Sequence, residues 1–201
     1  MPMRGLGVLT TERVRNTMVI RELSKLHMFK KVPKSDLARL TELSTASNYG
    51  IGDCICRQGE QATNAMLLVS GRLEVSIQTD SSVKHIGVIH PGEIFGEQGL
   101  FHSKGKRNAT VLANRPSQCL TLTPDIMRLS HDNEAIGALE RHLIATMARR
   151  IRSTNKAIQL VWKDAQQEED RKNAKKVNDN SSQEEKSGSI LTKLRSLFGG
   201  K

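Results

Sequence analysis

The chain has 201 residues, room for one domain of ordinary size and a tail. Hydrophobic residues make up 37% and aromatics 3%, too few to bury the whole length around one core. Thirty-one Lys and Arg against 21 Asp and Glu give +10, which favours an anionic partner. There is neither an 18-residue apolar run nor an apolar N-terminal stretch with a small-residue cleavage site, so the expected location is the cytoplasm, without a membrane span or secretory leader.

Residues 1–34 carry eight basic and two acidic side chains, a net of +6, whereas residues 35–162 net +2 and residues 163–201 net +2. The first 22 residues read as a basic extension entering a helix. From about Thr11 to Phe29, Val14, Met18, Leu23, Leu26 and Phe29 approximate one helical face, and Pro33 ends it. A second short helix, DLARLTELST, turns Leu37, Leu40 and Leu43 inward. From Tyr49 to Thr123 recurring glycines separate short segments, among them MLLVS, LEVSI and IGVI. Leu73, Val75 and Ile77 alternate with polar neighbours, as on a half-buried strand, and many short strands with Gly turns indicate a sandwich or barrel. The three cysteines, Cys54, Cys56 and Cys119, are an odd, sparse set that reads as reduced thiols rather than a disulfide framework or a metal site. Strand alternation sends Cys54 and Cys56 to one face, most simply the core.

After Pro124 helical spacing returns, with few breakers from about Asn133 to Lys163. Ile144, Ile151 and Ile158 fall seven apart; Met147, Thr154 and Val161 fall seven apart with an offset of three. This is an a/d seam with β-branched residues at a, the choice that favours two parallel strands and hence a homodimer. A helix lying on its own barrel is the alternative. From Asp164 to Ser189 large apolar side chains almost vanish, so the segment is expected to be a frayed helix running into disorder, a disordered linker over residues 165–189. The last segment, 190–201, places Ile190, Leu191, Leu194, Leu197 and Phe198 on one stripe with Lys193 and Arg195 off it. Such a stripe suits a membrane interface or a docking site on a partner protein.

The most informative segment is HPGEIFGEQGLFHSKGKRNATVLA. Gly96 and Glu97 are followed ten residues later by Arg107 and then by Asn108, Ala109, Thr110 and Val111. A carboxylate accepts from a ribose hydroxyl, and a guanidinium offers fixed donors and a charge to phosphate oxygens. Backbone N–H groups of a short helical turn over Gly96–Phe101 can point at the same phosphate. A cyclic phosphodiester on a ribose meets all three demands.

The span from about Leu23 to Asp164 resembles a cyclic-nucleotide-binding domain, most closely the catabolite activator protein family of bacteria. GDCICRQGE, VSGRLEV and HPGEIFGE match its barrel glycines, FGEQGLF followed by KRNATV its phosphate-binding cassette, and MARRIRSTNKAIQL its dimerisation helix. The resemblance implies a mainly β fold with flanking helices: a cyclic-nucleotide-binding β-roll (a jelly-roll barrel) over residues 23–130, followed by a dimerisation helix over 131–164. It implies that Glu97 takes the ribose 2′-hydroxyl, that Arg107 takes the cyclic phosphate, and that Gly96 and Asn108 make further contacts. Ala109 would be the small residue that lets the cassette close. Thr154 and Asn155 match positions that touch the adenine, one from each subunit. Asn108 departs from the small hydroxyl or Ala more usual after the Arg. The family's winged helix-turn-helix has no counterpart in the last 38 or so residues, so sequence-specific DNA binding is not expected. LTKLRSLFGGK resembles the amphipathic membrane-targeting tail of the Min-system cell-division ATPase, which would place the chain at the inner face of the cytoplasmic membrane.

These readings make the chain a non-enzymatic cyclic nucleotide sensor, with cAMP as the expected ligand, no cofactor and no metal, and an output through its tail. cGMP or a cyclic dinucleotide on the same fold is the alternative ligand. A nucleic-acid-associated regulator using the basic N-terminus is the alternative function, although Phe29 is that region's one aromatic. The six histidines occur singly and no Ser or Cys sits in a nucleophile motif, which leaves an enzyme reading without residues to carry it.

Overall fold

A computed structural model describes residues 16–102 and 104–198, with side chains through residue 169 and at residue 171. The elements, in chain order, are a helix over residues 16–23 (α1), a 3₁₀ turn His27–Phe29, α2 (Lys34–Leu43), β1 (Thr45–Tyr49), β2 (Cys54–Cys56), β3 (Ala65–Ser70), β4 (Leu73–Gln78), β5 (Val83–Ile89), β6 (Ile94–Phe95), α3 (Gln98–Phe101), β7 (Thr110–Ala113), β8 (Ser117–Leu122), α4 (Pro124–Met127) and α5 (Glu134–Phe198). The strands form two antiparallel four-stranded sheets, β1-β8-β3-β6 and β2-β7-β4-β5. The mainly β fold with flanking helices expected from the sequence is the fold observed.

The first sheet is covered on both faces, which explains why β3 reads as a near-continuous apolar run, AMLLVS. On β3, Ala65, Leu67 and Val69 join Leu120 and Leu122 of β8 against Leu23, Phe29, Leu37, Leu40, Ile136 and Leu139 of the helical segments. Leu68 and Cys119 point the other way, into the roll interior with Leu73, Ile89, Phe95, Val111 and Ala113. Pleating alone sorts the two sets.

Three expectations change. Met18 is 66% exposed and Val19 is fully buried instead, because Val19, Leu23 and Leu26 form the inward stripe of α1 and its 3₁₀ extension. Val14 and most of the basic extension lie outside the described residues. Cys54 is half-buried while Cys56 is buried, because the pairing of β2 with β7 shifts register between them and breaks strict alternation. Residues 165–189 are helical, part of α5 rather than a disordered linker. The segment has few large apolar side chains, but between Asp164 and Ser187 it has neither Pro nor Gly and is rich in Glu, Gln, Lys and Ala. These straight-chain residues and Ala lose least on entering a helix.

Two compact units divide the chain, residues 1–146 and 147–201. Within the first, the start of α5 is fixed by its caps. Asn133 Oδ1 accepts from the Ile136 N–H (3.0 Å), and Asp36 Oδ2, from the first turn of α2, accepts from the Glu134 N–H (2.8 Å). Within the second, the helix exposes Ile151 (60%), Ile158 (44%) and Val161 (65%).

Candidate functional site

Among the described residues Arg107 is the only buried charged side chain, at 8% exposure. A buried cation must be surrounded by acceptors, and the loop after β2 supplies most of them. The Arg107 N–H donates to the Glu60 carbonyl and its own carbonyl accepts from the Gly59 N–H, each at 2.8 Å, while the Ala62 N–H donates to the Gly105 carbonyl at 2.8 Å. That short ladder fixes the backbone. Nη1 then donates to the Asn64 carbonyl (2.9 Å) and the Gly96 carbonyl (3.1 Å), and Nη2 donates to Asn64 Oδ1 (2.7 Å). Two carbonyls and an amide orient the guanidinium, but none carries a negative charge. Beyond these three bonds, the Nε–H and the second Nη2–H form the side-on pair that chelates two oxygens of an anion.

The cassette glycines make this arrangement possible. Gly96 has φ +67°, and a Cβ there would fall on the Arg107 guanidinium. A Cβ at Gly99 would stand 2.5 Å from the Asn64 carbonyl oxygen and 2.6 Å from its nitrogen. Gly96, expected as a ligand contact, is thus first the residue that admits Arg107. Asn64 and Gly99 were not singled out from the sequence. Asn64 acts 43 residues upstream of Arg107 through a carbonyl and an amide, which no local spacing marks; Gly99, three residues after Gly96, could have been read from the FGEQG spacing.

Glu97 is half-buried and stands immediately before α3, with helical φ and ψ. The turn consumes two of its own amides: Gly99 N–H donates to Gly96 O and Leu100 N–H to Glu97 O, both at 3.0 Å. Those two amides are therefore not offered to an anion, and the expected row of backbone donors narrows. Asn108 is exposed and Ala109 half-buried, directly following Arg107. Thr110 Oγ1 accepts from the Gln58 N–H (3.1 Å), tying the strand after the arginine to the loop that holds it. Gly96 and Arg107 are in direct contact, with Glu97 and Asn108 as their chain neighbours. Thr154 and Asn155 are exposed on α5 in the second unit. Ile190, Leu191, Leu194, Leu197 and Phe198 fall on its helical backbone, and their side chains lie outside those described.

Two buried thiols, Cys56 near Arg107 and Cys119 in the roll interior, are held protonated. Burial pushes Cys56 up, with the Arg107 charge pulling in the opposite direction, and burial pushes Cys119 up to about 12. Among the described residues no three His, Cys, Asp or Glu side chains cluster as a metal site requires, and no helix is long and apolar enough to cross a membrane.

Residues 47–129 match the family model described as the cyclic nucleotide-binding domain. Among curated proteins the chain is similar to the cGMP-dependent protein kinase egl-4 of Caenorhabditis briggsae, 26% identical over 125 residues that cover 59% of this chain and 17% of the kinase. It is also similar to glutaminase 2 of Bradyrhizobium diazoefficiens, 28% identical over 142 residues, 69% of this chain and 22% of that protein. The chain thus spans about a fifth of the length of these relatives. Among solved structures, the catabolite activator protein of Thermus thermophilus superposes with a TM-score of 0.56 at 23% identity, over 67% of this chain and 62% of that one, a likeness of fold.

Proposed function

From a chain that carries a cyclic nucleotide-binding domain at residues 47–129, we propose a cAMP-responsive regulatory protein without catalysis of its own, acting as a homodimer and relaying ligand binding through its C-terminal segment. The carrying observation is the buried Arg107 guanidinium, oriented by two carbonyls and an amide of which none carries a negative charge. Bound there, the cyclic phosphate supplies the missing negative charge, and Glu97 takes the ribose hydroxyl at the adjoining turn. Asn108 and Ala109 line the same rim. The exposed seam of α5 supports pairing with a second copy, which brings Thr154 and Asn155 to the base. The apolar stripe from Ile190 to Phe198 then meets a membrane surface or a partner protein. In this reading the ligand comes and goes, so it is a signal and not a cofactor.

cGMP is the second reading, favoured by relatives that are named cGMP-dependent kinases. Titration calorimetry of the full chain against cAMP, cGMP and a cyclic dinucleotide separates them. Arg107→Ala should weaken binding at least about a hundredfold, since a buried, doubly bonded charge is lost. Arg107→Lys keeps the charge without the fork and should fall between. No heat with any of the three ligands, or unchanged affinity in Arg107→Ala, overturns the assignment.

A further inference from the structure

Between Met147 and Lys163 the second unit carries five basic residues and no Asp or Glu. Four of them share one side of α5. At about 100° per residue, Arg149, Arg152, Lys156 and Lys163 fall within about 60° of one another, along about 21 Å of axis. All four are exposed. The seam residues Met147, Ile151, Thr154, Ile158 and Val161 centre on the opposite side, about 170° away. Acidic residues resume at Asp164.

From this juxtaposition we propose that the basic face of α5 binds duplex nucleic acid through its phosphates, without reading sequence. The chemistry of the two faces selects the partner. A helix that lies in a membrane interface needs its cations on the flanks of its apolar face, where the stems reach up to the headgroups. Here four of the five cations sit on the far side and Arg150 alone lies on a flank of the apolar face, so a membrane that engages the apolar face forgoes most of the charge. A duplex asks for charge alone: it presents a phosphate about every 1.7 Å of axis, and each neutralised phosphate releases condensed counterions. The face remains outward whether the seam is paired or not. It carries no aromatic side chain, and nothing on it matches the edge of a particular base, so binding depends on charge and spacing only. This inference is independent of the cyclic nucleotide reading, since none of the four residues belongs to the cassette.

The test uses the full chain and a fluorescently labelled 24-base-pair duplex, followed by anisotropy from about 50 to 200 mM KCl, with two unrelated sequences. The expected slope of log K on log salt is about −3 to −4 for four phosphate contacts, the same for both sequences. Arg152→Gln/Lys156→Gln/Lys163→Gln should reduce the slope to near −1 and the affinity at 100 mM salt by at least about a hundredfold. Arg152→Lys, which keeps the charge, should bind within about threefold of the parent. A separate arm uses vesicles of phosphatidylcholine with phosphatidylserine. Absence of duplex binding at 50 mM salt overturns the proposal. So does an unchanged slope in the triple variant, or loss of binding on deleting residues 1–15 with the triple variant unaffected. Capture of the chain by vesicles but not by duplex also overturns it.

Discussion

Two stretches of α5 carry the same residue types and meet opposite surroundings. In the first unit Ile136 and Leu139 are fully buried and Leu143 is 4% exposed, packed with β3, β8 and the N-terminal helices. In the second unit Ile151 and Ile158 are 60% and 44% exposed. The helical repeat is the same in both. Periodicity therefore reports that a face is built to be covered, and it does not say by what. For the first stretch the cover lies within the chain. For the second, the proposed cover is a second copy, the partner that β-branched a positions favour.

The largest expected effect separates the stretches by stability. Leu139→Ala should cost about 2–5 kcal/mol in denaturant unfolding of the full chain, the range for a fully buried leucine. Ile151→Ala should change the same transition by less than about 0.5 kcal/mol when measured dilute enough to be monomeric. Equal losses would erase the contrast. The next effect concerns association. Ile151→Glu/Ile158→Glu places two carboxylates on the seam, and self-association measured by sedimentation equilibrium should weaken at least about a hundredfold, because a charge buried against apolar side chains is unpaired. A wild-type chain that stays monomeric at high concentration would remove the second copy as the cover.

Legibility followed the same division. The Gly96–Glu97 to Arg107 spacing was readable because each member acts through a side chain, or lack of one, whose chemistry is particular. The alternation of LEVSI was readable because one face of β4 is dry. Met18 and Val19 were confused because two adjacent phases of a 3.6-residue repeat fit a short amphipathic stretch almost equally well, and the 3₁₀ turn at His27–Phe29 shifts the phase that wins. Asn64 was not readable, since a carbonyl is common to every residue and only the fold brings this one to Arg107. The extent of the helix after Asp164 is not legible in hydrophobic periodicity, because the segment holds few large apolar side chains and only its Ala and straight-chain residues favour a helix.

A smaller effect probes whether the cassette is arranged for its internal partner. Gly96 (φ +67°) and Gly92 (φ +91°) both hold left-handed backbone, so alanine at either should cost about 1–2 kcal/mol of stability. Their surroundings differ. A Cβ at Gly92 meets nothing closer than Leu26 Cδ2 at 3.7 Å, whereas at Gly96 it lands on Arg107. Gly96→Ala should therefore also weaken cyclic nucleotide binding by about tenfold or more in calorimetry, and Gly92→Ala should leave affinity within about twofold. Equal affinities in the two variants would mean that Arg107 can do its work from another position.

The smallest effect lies where the covered stretch of α5 begins. Asn133 is 7% exposed and joins two bonds at once: its Oδ1 caps Ile136, and its Nδ2 donates to the Asp36 carbonyl at 3.2 Å. Asp36 caps Glu134 in turn, so helix start and α2 are fastened by one small network. Asn133→Ala should cost about 1 kcal/mol, the ordinary value of a lost N-cap, and Asp36→Ala about the same. If the two act as a unit, the double variant should lose less than the sum by about 0.5 kcal/mol or more in a double-mutant cycle. Strict additivity would mean that each cap serves only its own amide. In that case the burial of Ile136 and Leu139, rather than the junction with α2, sets where the covered stretch starts.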